Sequence, residues 1–212
     1  MKSIAGEVAE ILIKANAVTF NVERPYTYAS GIISPIYTDL RLLVSYPAQR
    51  RRIIELLSDL VASKVGMQNV DVISGTASAG VPWAAWLSER LDKPMIYVRK
   101  ESKQHGKEKV VEGVLKEGER VLVLEDLIST GGSSIRSVHN IRGCMGIVDN
   151  CLSIFTYGLD EANKSFSEMK VKAYSLCDFN TALETAVKMK YLTPAQAKNA
   201  REWNKNPREW RP

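Results

Sequence analysis

Glu125 and Asp126 stand side by side after four apolar residues, Val121-Leu122-Val123-Leu124, and before Leu127-Ile128-Ser129-Thr130-Gly131-Gly132-Ser133. The apolar run reads as a buried strand with two carboxylates at its end. The Ser, Thr and Gly residues read as a turn that leads into a helix. Such a turn suits a sugar phosphate. Backbone N–H groups of the turn and of the helix N-terminus cradle phosphate oxygens. Gly131 and Gly132 let the backbone approach closely, and Thr130 and Ser133 add hydroxyl donors. Glu125 and Asp126 are suited to accept hydrogen bonds from ribose hydroxyls or to face a hydrated Mg²⁺. No Walker pattern, G-x-x-x-x-G-K-[ST], occurs in the chain.

Three further segments carry polar chemistry. Arg99-Lys100-Glu101-Ser102-Lys103-Gln104-His105-Gly106-Lys107 is charged and almost free of apolar residues. On composition alone it reads as a solvated loop with little to anchor it in a core. Gly75-Thr76-Ala77-Ser78-Ala79-Gly80 is a loop of small residues whose N–H groups suit phosphate oxygens. The stretch from Tyr26 to Arg41 (YTYASGIISPIYTDLR) reads as a turn between short aromatic strands.

These segments need elements to position them. Ile4, Val8, Ile11 and Leu12 have helical spacing, so a helix is expected over 3–17. Residues 19–46, rich in aromatics, Pro, Gly and Ser, read as an irregular cap of short strands. Pro47 opens a helix that runs to about Val65. An alternation follows. Strands are expected at Val70–Ser74, Met95–Val98, Val121–Leu124, Ile147–Phe155 and Ala173–Leu176, with helices from Pro82, from about Ser133 and near 160–169. That order implies an α/β fold with a mostly parallel sheet flanked by helices. Ligands of such sheets sit beyond the carboxyl ends of the strands, here the loops after residues 74, 98 and 124.

Composition narrows the classes. The chain has 212 residues, 45% hydrophobic and 25% charged, a globular balance that excludes a disordered tail, a collagen and a coiled coil. Net charge is +5, and the excess is local: residues 99–109, Arg50-Arg51-Arg52 and residues 198–211 each carry +3. Such patches suit phosphate ligands and fall short of a nucleic-acid-binding face. Cys144, Cys151 and Cys177 show no CxxC spacing, which fits a reducing compartment. Glu7 and Glu10 interrupt the start before any apolar core of signal-peptide length, and no stretch approaches a membrane span. A cytoplasmic protein is expected, with no nucleic-acid or membrane partner.

The string from Val121 to Ser133 resembles the signature with which type I phosphoribosyltransferases bind 5-phosphoribosyl 1-diphosphate (PRPP). The order strand, basic loop, strand, acidic string is similar to that of the orotate phosphoribosyltransferases. The resemblance runs from about residue 20 to about 205. It implies one phosphoribosyltransferase domain over 1–212. Its small N-terminal hood would lie at about 19–46, with a C-terminal contribution, and its PRPP-binding core at about 66–180. The implied activity is Mg²⁺-dependent transfer of the phosphoribosyl group to orotate, giving orotidine 5′-phosphate and diphosphate in UMP biosynthesis. Arg99, Lys100, Lys103 and His105 would meet the diphosphate, the loop reaching the active site of a partner subunit in a homodimer. Glu125, Asp126, Leu127, Ile128, Ser129, Thr130, Gly131, Gly132 and Ser133 would bind PRPP. Lys103, His105 and Asp126 would carry catalysis. Ser129, Ser30 and Gly31 would meet orotate, and Mg²⁺ would be held mainly by PRPP. Two departures stand out. Many members carry a lysine where this chain has Ala29, and some carry one where it has Ala79.

Two other readings share the PRPP string. A purine phosphoribosyltransferase would need a different base pocket, against which the hood segment argues. A PRPP-sensing regulator would need a broad basic face or an added DNA-binding module, and neither is apparent. At 212 residues no fused orotidine decarboxylase barrel is expected. His139 reads as a surface residue, Trp83 and Trp86 as packing residues, and the cysteines likewise. Trp203 and Trp210 fall in a polar, Pro-ended tail with no functional reading.

Overall fold

Ser3 accepts a hydrogen bond from the Gly6 amide and so caps α1 (Ile4–Lys14). The helix stops short of residue 17 because Asn16 turns left-handed at φ 54°. The coordinates form a computed structural model that describes residues 3–28, 31–100 and 110–211. After α1 come β1 (Val18–Phe20), β2 (Tyr26–Thr27), β3 (Ile33–Ser34) and β4 (Ile36–Thr38), then α2 (Pro47–Leu60). The alternation continues through β5 (Val72–Thr76), α3 (Gly80–Leu91), β6 (Met95–Val98), β7 (Val111–Glu112) and β8 (Arg120–Ile128). It ends with α4 (Gly132–Gly143), β9 (Ile147–Thr156), α5 (Asp160–Glu168), β10 (Lys172–Asp178), α6 (Phe179–Lys188) and α7 (Pro194–Lys205). The helix expected over 47–65 is α2 plus one wider π-turn, Val61–Val65, closed by Gly66 at φ 83°.

The chain divides into two compact units. The first comprises the residues through Arg50 and those from Cys177 on. In it β1 pairs with β4, Val18 opposite Thr38, and β2 pairs with β3, Tyr26 opposite Ser34. Helix α1 buries Val8, Ala9, Leu12 and Ile13 and packs on α6, which buries Phe179, Ala182, Leu183 and Ala186. Both helices thus spend a narrow apolar stripe on one core. Neither α6 nor α7 is anticipated by the sequence reading. Their start signals are local all the same. The Asp178 carboxylate accepts from the Thr181 amide at 2.9 Å, and Thr193 and Gln196 form a reciprocal capping box ahead of Pro194.

The second unit, Arg51–Leu176, holds the main sheet. The strand order is β10-β9-β8-β5-β6-β7. Strands β6, β5, β8 and β9 run parallel, and β7 is antiparallel to β6. This is the expected α/β architecture. Strand alternation assigns the faces. Gly75 meets α3, where an added Cβ would lie 2.8 Å from Val81 Cα. Its neighbour Thr76 turns the other way and pairs its hydroxyl with Ser137 of α4 at 3.1 Å. On the α4 face Val72, Val121, Val123, Val138, Ile141 and Phe166 share one core. On the α3 face Ile73, Leu122, Leu124, Trp83 and Leu87 are buried. At the strand starts the Arg120 guanidinium grips Asp71 with two hydrogen bonds, 2.9 and 2.8 Å, and holds its carboxyl well below the usual carboxylate range. This fork fixes the β5–β8 register from below.

Candidate functional site

Strands β5, β6 and β8 point their carboxyl ends the same way. Thr76 lies opposite Val98 and Gly75 opposite Leu124, so β8 continues four residues past that level. The overhang is Glu125-Asp126-Leu127-Ile128, the part of the string that carries the acids. Thus the sheet brings three loops to one end: residues 77–79, the segment after Val98, and the turn Ser129–Gly131.

The turn is built to leave backbone N–H groups available. The Ile128 carbonyl accepts from the Tyr157 amide at 3.0 Å and the Thr156 hydroxyl at 3.3 Å, which anchors the start of the turn to the end of β9. Gly131 is left-handed, φ 82°, and an added Cβ would lie 3.4 Å from the Phe166 ring. Glycine meets both demands. Helix α4 then starts with no side-chain cap, so the amides of its first turn face along the axis toward the strand ends. Helix α3 begins the same way, without a side-chain cap, at Gly80. The approach there is closer still: a Cβ on Gly80 would lie 2.6 Å from the Leu124 carbonyl. The Ala77–Ser78 peptide bond that leads into α3 is cis.

The two carboxylates have different surroundings. Glu125 is buried, with only 5% of its surface exposed. Its Oε2 accepts from the Ser133 hydroxyl at 2.8 Å and from the Ser134 hydroxyl at 3.4 Å, and its Oε1 lies 3.3 Å from the Asp126 amide. Burial, reinforced by the neighbouring Asp126 carboxylate, pushes the Glu125 carboxyl up to about 8. Glu125 is thus a strut beneath the first turn of α4, not a group turned outward as the sequence reading expects. Asp126 is half-buried, and its carboxyl adjoins that of Glu125.

The other anticipated residues are distributed as follows. Leu127, Ser129, Thr130 and Ser133 are half-buried, Gly131 is buried and Gly132 exposed. The Ile128 side chain belongs to the apolar core, so its backbone is what it offers a ligand. Arg99 is half-buried and faces Glu112 at 3.5 Å, and its amide donates to the Val110 carbonyl. Lys100 is exposed. Lys103, His105 and Ser30 lie outside the described residues. Gly31 is left-handed, φ 82°, and its amide donates to the Tyr28 carbonyl at 2.8 Å. His139 is exposed, Trp83 is buried, and burial raises the thiols of Cys151 and Cys177 out of reach of ionisation. Sequence reasoning missed the Glu125–Ser133 pairing and the contact role of Gly80. An eight-residue separation across a strand–turn–helix was the available signal for the first.

Among the described residues no helix is long and apolar enough to cross a membrane, and no group of three or more His, Cys, Asp or Glu gathers as a metal cluster.

Comparison with known proteins agrees with this geometry. Residues 43–149 match the family model described as phosphoribosyl transferase domain. An orotate phosphoribosyltransferase of Coxiella burnetii is 43% identical over 208 residues, 98% of this chain and 99% of that protein. The crystal structure of orotate phosphoribosyltransferase from Aeropyrum pernix superposes with a TM-score of 0.76 at 31% identity, covering 87% of this chain and 99% of that one. The structure of Leishmania donovani UMP synthase gives a TM-score of 0.80 at 27% identity, covering 94% of this chain but 42% of that longer one.

Proposed function

We propose how this chain, which belongs to the orotate phosphoribosyltransferase family and transfers the 5-phosphoribosyl group of PRPP to orotate, divides that work among its residues. The observation that carries the assignment is the uncapped start of α4 behind the left-handed Gly131, with Glu125 braced against Ser133 below it. Thr130, Gly131, Gly132 and Ser133 hold the 5-phosphate with backbone amides and the Thr130 hydroxyl. Asp126 accepts hydrogen bonds from the ribose hydroxyls. Glu125 acts on PRPP through the turn it supports, while Leu127, Ile128 and Ser129 shape that turn. The small-residue loop before α3 takes diphosphate oxygens on its amides.

As the bond between the ribose anomeric carbon and the diphosphate breaks, positive charge grows on the sugar and negative charge on the leaving group. Asp126 favours the first. Arg99 and Lys100, with Lys103 and His105 of the basic loop, offset the second. The orotate nitrogen then takes the anomeric carbon, and no covalent enzyme intermediate is needed. Ser129, at the start of the turn after β8, meets the base.

The donor set fits Mg²⁺. Asp126 supplies a hard oxygen donor at the strand end, and magnesium favours one or two carboxylates combined with substrate oxygens and waters. When bound, the ion neutralises charge on the diphosphate.

In this reading the two units form one catalytic domain, a hood and a PRPP-binding core. The protein works in the cytoplasm as a homodimer whose basic loop serves the partner's site. The test follows orotate absorbance in purified protein, with adenine, hypoxanthine and uracil in parallel. Loss of orotate signal that needs both PRPP and Mg²⁺ is expected. Turnover of another base would overturn the base assignment, and PRPP binding without turnover would overturn the enzyme reading.

A further inference from the structure

Thr76, the last residue of β5, is buried, and its hydroxyl lies 3.1 Å from that of the equally buried Ser137 on α4. Ser137 has one hydroxyl proton to give, and it goes back one helical turn to the Ser133 carbonyl at 3.2 Å. Thr76 is therefore the donor in the first bond. Ser133 in turn gives its own hydroxyl proton to Glu125 on β8. A short run of hydroxyls thus joins two strands to one helix. Burial of a hydroxyl on β5 does not by itself produce such a bond. Ser74, two residues earlier, is fully buried, and its hydroxyl has no hydrogen-bond partner among the described residues.

What stands on either side of this run gives it a use. Beyond Thr76 the chain enters the loop 77–79, whose start is tied to β6 by the Ala77 amide on the Val98 carbonyl at 2.9 Å. One turn ahead of Ser137, α4 begins without a side-chain cap. The loop is read above as the seat of the diphosphate, and the first turn of α4 as the seat of the 5-phosphate. PRPP carries both groups on one ribose, so the two seats reinforce each other only at the spacing of that molecule. Pairing with β8 fixes β5 within the sheet. It does not fix α4, which packs on the face of the sheet through Val138 and Ile141. Apolar packing has no direction of its own, so the place of the helix start along the strand ends must come from directed bonds.

We propose that Thr76 and Ser137 are positioning residues that set the distance between the two anion seats of PRPP. The Ser133–Glu125 bond ties the first turn of α4 to β8. The Thr76–Ser137 bond ties the second turn to the end of β5, from which the diphosphate loop leaves. Both hydroxyls act through the backbone they hold, not through contact with PRPP. This inference rests on the reading of the two seats and deepens it.

The test compares the whole ligand with its halves. Titration calorimetry follows PRPP, ribose 5-phosphate and inorganic diphosphate, each with Mg²⁺. Thr76→Val keeps the branched shape and removes the donor, and Ser137→Ala removes the acceptor. Each is expected to weaken PRPP roughly ten-fold, the scale of a lost buried hydrogen bond, while both halves bind as they do to the wild type. In the double variant the loss stays near that of either single one, because both remove the same bond. Thr76→Ser keeps the hydroxyl, and Ser74→Ala removes one that holds nothing, so both bind PRPP as the wild type does. Thr76→Val leaves the Ser137 proton on the Ser133 carbonyl, which covers the case in which Ser137→Ala fails to fold. If the halves weaken in step with PRPP, or if the losses multiply in the double variant, the pair only stabilises the fold and the proposal is overturned. Two further variants test the underlying seats. Ala79→Pro removes one loop amide at a φ of −77°, which proline accepts, and is expected to weaken diphosphate. Thr130→Ala is expected to weaken ribose 5-phosphate. If both do so while neither Thr76→Val nor Ser137→Ala weakens PRPP, the seats stand and the positioning role falls. If either half ignores its own variant, the assignment of the seats falls and takes the proposal with it.

Discussion

The Ser133 hydroxyl donates to Glu125 Oε2 at 2.8 Å, joining the end of β8 to the first turn of α4. One member of the acidic pair, Glu125, therefore holds the turn. The expected consequence is a contrast between two variants at the same position. Glu125→Gln preserves an acceptor for Ser133 and mimics the neutral acid, so the KM for PRPP changes little at neutral pH. Glu125→Ala and Ser133→Ala remove the strut and raise the KM for PRPP roughly ten-fold, in line with about 1–3 kcal/mol for an unsatisfied buried partner. Steady-state kinetics with PRPP varied at saturating orotate checks this. A ribose-contacting carboxylate would instead be hit hard by Glu125→Gln.

Glu125 also leaves a signature in stability against pH. Its carboxyl is raised from an ordinary value of 4.5 to about 8 in the folded chain, chiefly by burial and then by Asp126. A raised carboxyl binds its proton more tightly when folded. Its contribution is therefore fully present below pH 4.5 and is lost as pH climbs through 8. The groups around it are Asp126, the un-ionised Cys151 thiol and the Ser133 and Ser134 hydroxyls. Thermal melts of the wild type and of Glu125→Gln, taken from pH 5 to pH 8.5, are expected to diverge steadily, the wild type losing more. Parallel curves would refute the assignment.

Five of the six strands of the main sheet were legible as short apolar runs, and Val121–Leu124 ends in a string whose residue types suit one ligand, whereas the two-residue β7 offers too short a run to read. The same string misled about Glu125. Adjacent carboxylates look equivalent in sequence, and only folding shows Glu125 buried against the Ser133 and Ser134 hydroxyls. The C-terminal helices were missed for another reason. Helix α7 buries Ala197, Ala200 and Trp203, a stripe so thin that its lysines, arginines and asparagines dominate the composition. Helix α6 carried a readable pattern in Phe179, Ala182, Leu183 and Ala186, but it follows a strand with no intervening loop, since Asp178 is both the last residue of β10 and the cap of α6.

Gly80 gives a steric prediction. A methyl group there would sit 2.6 Å from the Leu124 carbonyl and 3.3 Å from Glu125 Cα, both backbone atoms that cannot rotate away. Helix α3 must then move off β8. Gly80→Ala is expected to cost about 1–3 kcal/mol, which for a chain of this size lowers Tm by roughly 2–4 °C per kcal/mol. It also raises the KM for PRPP, because the loop 77–79 and the end of β8 shift together. A variant with wild-type Tm and wild-type KM would show that the two elements tolerate a wider spacing than their packing implies.

The basic loop makes the last prediction. If Lys103 offsets charge on the departing diphosphate, Lys103→Ala loses on the order of 10²–10³ in kcat, with circular dichroism and Tm unchanged. Asp126→Asn, at the ribose end, weakens PRPP use in its own way. If the loop of one subunit serves the site of its partner, each of these variants is defective at both sites of its own homodimer. A mixed dimer differs. One of its sites collects both substitutions, and the other receives a native loop over a native Asp126. Unfolding and refolding the two variants together, or expressing them from one plasmid with two tags, is therefore expected to restore activity well above either parent. The restored activity should show the wild-type KM for PRPP, since it comes from intact sites. Absence of recovery in isolated mixed dimers would place the loop over its own subunit's site, and a protein that stays monomeric throughout would remove the trans arrangement altogether.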